Sequence, residues 1–190
     1  TGHTVVLREL QPSDAPVLWA LLTRDEVTRF ISDPPPTVEA FEQFIAWALT
    51  QRQAGRYMTF AVTLKGYDTA IGIFQLKQIE KALGTAEWGF ALGSPFWGTG
   101  IFAEAADLVL AFAFETVGIH RLEARAAILN GRGKAALQKM GAVQEGVLRQ
   151  SLYKSGHYLD QALYAIVDEE WRVARQVAEE DARLLDPSVH

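Results

Sequence analysis

The segment Ser94–Phe114, "SPFWGTGIFAEAADLVLAFAF", sets two glycines, Gly98 and Gly100, between a strand-like run and an apolar helical pattern. The first amides of a helix have no intrahelical partner. The helix dipole adds partial positive charge at that end. Glycines let a bulky anion come close to the backbone. The turn therefore reads as a plain chain reversal or as a phosphate cradle. It matches neither of two better-known phosphate motifs. No G-x-x-x-x-G-K-[ST] run exists. A G-x-G-x-x-G fingerprint would need glycine where Ala103 stands, and a βαβ context the preceding strands lack.

Working outward, "TVVLREL" alternates as a first strand. "PSDAPVLWALLT" follows as a helix, with Ser13 or Asp14 as its N-cap. The prolines of "SDPPP" break the chain. Thr37 then caps "VEAFEQFIAWALTQRQ", whose Phe41, Phe44, Ile45, Ala48 and Leu49 form one stripe, and Gly55 ends it. Three strands come next, "YMTFAVTL", "TAIGIFQLKQIE" and "TAEWGFAL", with turns at "GYD" and "KALG". They are expected to form an antiparallel meander. After the glycine turn a helix runs from about Ile101 to Val117. "HRLEARAAI" is a strand and "GRGKAALQKM" a short helix stopped by Gly141. "AVQEGVLRQSLY" and "LDQALYAIVD" are strands joined across "KSGH". A charged amphipathic helix closes the chain, and "LLDPSVH" (184–190) is expected to fray. The order β α α β β β α β α β β α, with no repeat and no linker, predicts a single α+β domain over 1–190.

Composition bounds the function. With 190 residues, about half apolar, the chain can bury a core. No run reaches ~18 apolar residues, so no membrane helix is expected. "TGHTVVLREL" shows no secretory pattern, and cytoplasmic residence is the default expectation. The absence of cysteine excludes disulfides, Cys-zinc sites and a Cys nucleophile. The four histidines lack metal-like spacing, so no metal is expected. A net charge of −5 argues against the basic face of a nucleic-acid binder.

Three blocks in order carry a resemblance. They are "WGTGIFAEA", a strand ending at Asn130, and "NGRGKAALQKMGA". Together they resemble the acyl-CoA-binding half of the GNAT N-acetyltransferase superfamily. The branch most similar includes the Rim-type ribosomal-protein N-terminal acetyltransferases. Trp97, Gly98, Gly100, Glu104 and Ala105 fit that branch's W-G-x-G-x-x-x-E-A block. Asn130, Lys139, Gly141, Asp160, Tyr164, Glu170 and Trp171 fit its later positions.

The resemblance implies a mixed, mostly antiparallel central sheet with flanking helices and a splayed central strand pair. It implies acetyl-CoA as cosubstrate, with no metal. Backbone groups of Phe90, Ala91 and Leu92 would pair with the pantetheine arm. The pyrophosphate would rest on the amides of the Trp97–Ala103 turn: Gly98, Thr99, Gly100, Ile101, Phe102 and Ala103. Asn130 would hydrogen-bond the arm, and Arg132 or Lys134 would reach the phosphates or the adenine end, unless both lie on a solvated helix face. The amine acceptor would be a peptide or protein N-terminus, or a small amine such as a polyamine or antibiotic. A non-catalytic acyl-CoA-binding module is the remaining alternative. Dimerisation is common in the branch, and "LDQALYAIV" offers an apolar strand for a homodimer.

Acyl transfer to an amine needs the amine neutral, and a carboxylate can take its proton directly or through water. Glu87, in "TAEWGFAL", is the candidate base. Its other reading is a solvent-facing strand residue. Glu104 fits the motif better but lies in the first helical turn, where a carboxylate favours the dipole, so a structural role is expected. Gly133 stands where relatives carry Ser or Ala, and "KAALQKM" supplies no hydroxyl, so the general acid stays open. Tyr153, His157 and Tyr158 in the late hairpin are the candidates, unless the CoA thiolate leaves without an acid. Phe30, Asp33 and Tyr153 are candidate walls of the acceptor site. Asp33 or Glu26 would hold a cationic amine.

Overall fold

The computed structural model describes residues 1–82 and 84–184. The tail expected to fray lies outside the described residues, apart from Leu184. Among the described residues, seven strands form one sheet: β1 (Val5–Glu9), β2 (Tyr57–Leu64), β3 (Gly72–Glu80), β4 (Thr85–Leu92), β5 (Arg121–Ala127), β6 (Val143–Lys154) and β7 (His157–Val167). Their spatial order is β1-β2-β3-β4-β5-β7-β6. All neighbours are antiparallel except β4 and β5. The expected meander is β2–β3–β4.

Six α-helices among the described residues flank the sheet: α1 (Ala15–Leu22), α2 (Asp25–Thr28), α3 (Val38–Gln53), α4 (Ile101–Ala111), α5 (Gly131–Lys139) and α6 (Asp168–Leu184). The expected helix over 12–23 is shorter, because Pro12–Asp14 is a 3-10 turn. The single turn α2 falls in a stretch expected to be a connection. The Thr37 hydroxyl accepts from the Ala40 N–H at 3.1 Å, the cap that starts α3. The last part of the expected 101–117 helix is a π-helical segment, Phe112–Val117. Among the described residues no helix is long and apolar enough to cross a membrane.

Two apolar clusters cover the two faces of the sheet. α1 and α3 bury Leu18, Leu22, Phe41 and Ile45 on one face, against Ala61 and Ile73. α4 and α5 bury Val109, Leu110 and Leu137 on the other, against Phe74, Trp88 and Leu122. Period-two alternation along the strands divides the side chains between these faces.

Glu104 joins the chain's beginning to α4. One carboxylate oxygen, Oε1, accepts from the N–H of Thr4 at 2.7 Å and of Val5 at 3.0 Å. Gly2 sits so near that a side chain there would overlap the carboxylate. Burial is the largest single influence and acts to raise the Glu104 pKa, but the Val5 and Thr4 amides, with His3, together outweigh it and hold it below the usual carboxylate value. The structural role expected of Glu104 is the one its contacts describe.

A folded-state pKa below the unfolded one gives stability present above the unfolded pKa and lost as pH falls through the folded pKa. Glu104→Ala should cost about 1–3 kcal/mol near neutral pH, the range for hydrogen bonds to a charged group. The loss should shrink on acidification as the wild type gives up the same contribution. Denaturant melts at several pH values measure both.

Candidate active site

The parallel pairing of β4 with β5 covers three residue pairs, Thr85–Arg121, Ala86–Leu122 and Glu87–Glu123. Past Glu87, β4 stays with β3 as far as Leu92, and β5 stays with β7 as far as Ala127. The two strands therefore part, and the sheet opens between them. The Gly93 N–H donates to the Ile71 carbonyl at 2.9 Å. Alternation from that bond turns the backbone of Gly89 and Ala91 toward β3, and that of Trp88, Phe90 and Leu92 toward the opening. The Leu92 carbonyl is already taken by the Trp97 indole N–H at 2.8 Å.

A cavity of about 390 Å³ runs along one side of this opening. Phe90, Ala91 and Leu92 line it from β4, and Trp97, Gly98 and Gly100 from the turn. Phe102 and Ala103 line it from α4, and Asn130 and Arg132 from the start of α5. Gly98 and Gly100 have φ of +73° and +86°, the left-handed region, and a Cβ on either would meet nothing within 4 Å. α4 has no side-chain cap. The turn thus leaves an open cradle at uncapped amides. The Arg132 guanidinium lies 3.4 Å from the centre of the Trp97 ring, which fixes a positive charge beside the cradle.

A second cavity of about 900 Å³ lies on the α1–α3 side. Its apolar wall includes Phe30, Ile31, Phe41, Phe44 and Ile73, and its polar groups include Asp33, Gln75, Glu87 and Arg125. The two cavities share Phe30, Ile31, Phe90, Ala91, Asn130 and Gly133. Glu87 Oε2 lies 3.5 Å from Arg125 Nε. That exceeds a good hydrogen bond, so Glu87 keeps acceptor capacity.

The sequence matches the model of the acetyltransferase (GNAT) domain over residues 4–143. The chain belongs to the GNAT acetyltransferase family. It is 30% identical over 173 residues to YjcK of Bacillus subtilis, named as a probable N-acetyltransferase, covering 88% of this chain and 96% of that protein. YdaF of the same organism, named as a candidate ribosomal N-acetyltransferase, is 26% identical over 172 residues, covering 88% of this chain and 93% of its own. Among solved structures, Mycobacterium smegmatis RimJ in complex with CoA-disulfide superposes with a TM-score of 0.81 at 25% identity, covering 93% of this chain and 89% of that one. The resemblance to the Rim-type branch holds, and the protein is an N-acetyltransferase whose fold binds acetyl-CoA.

Several site residues of this GNAT acetyltransferase lie elsewhere than expected. The backbone of Ala91 faces β3 rather than the opening. Thr99 lies outside both cavities, and its hydroxyl donates to the Phe96 carbonyl at 2.7 Å. Ile101 turns its side chain into the core, and its amide, the group expected to serve, stays at the start of α4. Lys134 borders neither cavity, whereas Lys139, on the face of α5 shared with Arg132, lines the smaller one. Tyr153 is 61% exposed, stacks beside Tyr158 and borders neither cavity. Its neighbour Leu152 lines the larger one instead. His157 and Tyr158 also border neither cavity. Glu26 is on the smaller cavity, where its carboxylate accepts from the Ser94 hydroxyl at 2.8 Å. That bond leads the causes holding its pKa below the usual value. Asp33 is at the larger cavity but ion-paired with Lys154.

Gly133 has a local reason. The Asn130 side-chain oxygen accepts from the Gly133 N–H at 2.9 Å and caps α5. A Cβ on Gly133 would lie 2.5 Å from the Asn130 amide nitrogen. Gly133→Ala should therefore displace the cap, cost about 0.5–2 kcal/mol, and weaken acetyl-CoA binding. Thermal melts with and without acetyl-CoA separate the two effects.

Burial, and then the charge of Glu87, raise the Tyr57 phenol above its usual pKa. Glu87→Gln should lower that pKa while leaving the burial component. Ultraviolet titration of the tyrosines reads the difference.

Proposed function

We propose that the chain moves an acetyl group from acetyl-CoA to a primary amine by direct attack with both substrates bound, and that the acceptor is a peptide or protein N-terminus. The carrying observation is the junction of the two cavities at Phe90, Ala91, Asn130 and Gly133. One cavity has the open glycine cradle and two cations, Arg132 and Lys139, suited to an anionic nucleotide end. The other has the carboxylate of Glu87. Two substrates entering from opposite sides meet where β4 and β5 part, which supplies proximity.

Acetyl-CoA supplies the activated acetyl thioester. Glu87 takes a proton from the acceptor ammonium, directly or through water, so that the neutral amine attacks the thioester carbon; the C–N bond forms, the C–S bond breaks, and the CoA thiolate is the leaving group. The backbone of Phe90, turned into the opening, offers an N–H to the oxygen that gains charge. No side chain of the chain needs to carry the acetyl group. The peptide reading draws support from the name of YdaF and the likeness to RimJ. A small amine is the second reading, and the volume of the larger cavity, about 900 Å³, favours it as well.

Glu87→Gln should lower turnover, read as free-thiol release, by roughly 10²–10⁴-fold, while acetyl-CoA still raises the melting temperature. Unchanged turnover would remove Glu87 from the role. A wild type that acetyl-CoA fails to stabilise would overturn both the transferase reading and a non-catalytic acyl-CoA-binding role.

A further inference from the structure

The acceptor cavity has three titratable side chains on its walls, Asp33, Glu87 and Arg125. Each carboxylate already faces a cation. Glu87 lies beside Arg125. Asp33 is ion-paired with Lys154 Nζ, which reaches it from the end of β6, 121 residues along the chain. The two partners differ in exposure. The Asp33 side chain is 76% exposed, and that of Lys154 is 9% exposed. An ammonium that buried is costly without a partner, so Lys154 holds Asp33 firmly. Lys154 does not border the acceptor cavity; it meets Asp33 from a neighbouring surface depression, so it acts on a substrate only by neutralising that carboxylate. The rest of the wall is largely apolar, with Phe30, Ile31, Phe41, Phe44, Ile73 and the prolines 34–36.

We infer that Lys154 sets acceptor specificity: by neutralising Asp33 it fits the cavity to a monoamine on an apolar body and excludes amines that carry a second positive charge. A monoamine brings one charge, and Glu87 receives it. A diamine brings another, and the one remaining carboxylate on the wall, Asp33, is already balanced by Lys154. The apolar wall instead takes a hydrocarbon or aromatic side chain next to the reacting amine. An N-terminal residue with an apolar side chain has that form. The inference rests on the transfer reading above and names its acceptor class.

The test compares kcat/KM for phenylalaninamide and phenylethylamine with that for putrescine and spermidine, by thiol release from acetyl-CoA. The wild type should favour the first pair by about tenfold or more. Lys154→Met frees Asp33 and should shift the ratio toward the diamines by about tenfold, whereas Lys154→Arg keeps the pair and the wild-type ratio. Stabilisation by acetyl-CoA serves as the folding control, since Lys154 does not border its cavity. If the Met variant is too unstable to assay, Asp33→Asn leaves the ammonium unbalanced, and diamine turnover should fall further. A wild type that prefers diamines, a ratio unmoved by Lys154→Met, or a rise in diamine turnover with Asp33→Asn overturns the inference while leaving the transferase reading intact. Stabilisation by acetyl-CoA with no thiol release for any amine overturns the transferase reading, and this inference with it.

Discussion

The parting of β4 from β5 after Glu87 and Glu123 is the constraint on which the rest of the molecule depends. A sheet normally satisfies its backbone by pairing on both sides. Here five residues of β4 keep a partner on one side only. Apart from the Leu92 carbonyl, which the Trp97 indole N–H takes, the unpaired backbone of that edge faces the opening. The glycine turn, the uncapped start of α4 and Asn130 all gather at the far end of that gap. Glu87 is the last β4 residue before it, so the proposed base and the opening come from the same point in the register.

Much of this was legible in the sequence, and the reasons differ by element. Strand alternation and the glycine stops give the meander, the long helix and the late hairpin. The block from Trp97 to Ala105 and the position of Asn130 give the cradle and its neighbour. Parity is where the reading slipped. Tyr153 and Leu152 are adjacent, so one step decides which faces the cavity. Between Leu148 and Leu152 the β6–β7 register shifts, and Gln150 takes a φ of +52°. Such a bulge changes the count of residues along a strand, and no glycine or proline at 148–152 announces it. Lys139 had a signal in the sequence, because it lies seven residues, two helical turns, after Arg132. The pair of Asp33 and Lys154 had none, since it joins a proline-rich loop to a strand end far along the chain.

Glu104 shows how a motif position can belong to the scaffold. Its carboxylate holds the amides that begin β1, the strand at one edge of the sheet. The same residue opens α4, whose first turn belongs to the cradle. The edge of the sheet and the proposed anion cradle are therefore tied through one side chain.

Asn130 borders both cavities, yet its side-chain oxygen is committed to the helix that follows. What it presents at the junction is chiefly its two amide hydrogens. At this residue the junction is therefore supplied with donors, beside the unpaired backbone of β4. The missing methyl group at position 133 keeps the carboxamide in that pose, because a Cβ there would lie 2.5 Å from the amide nitrogen and push it aside.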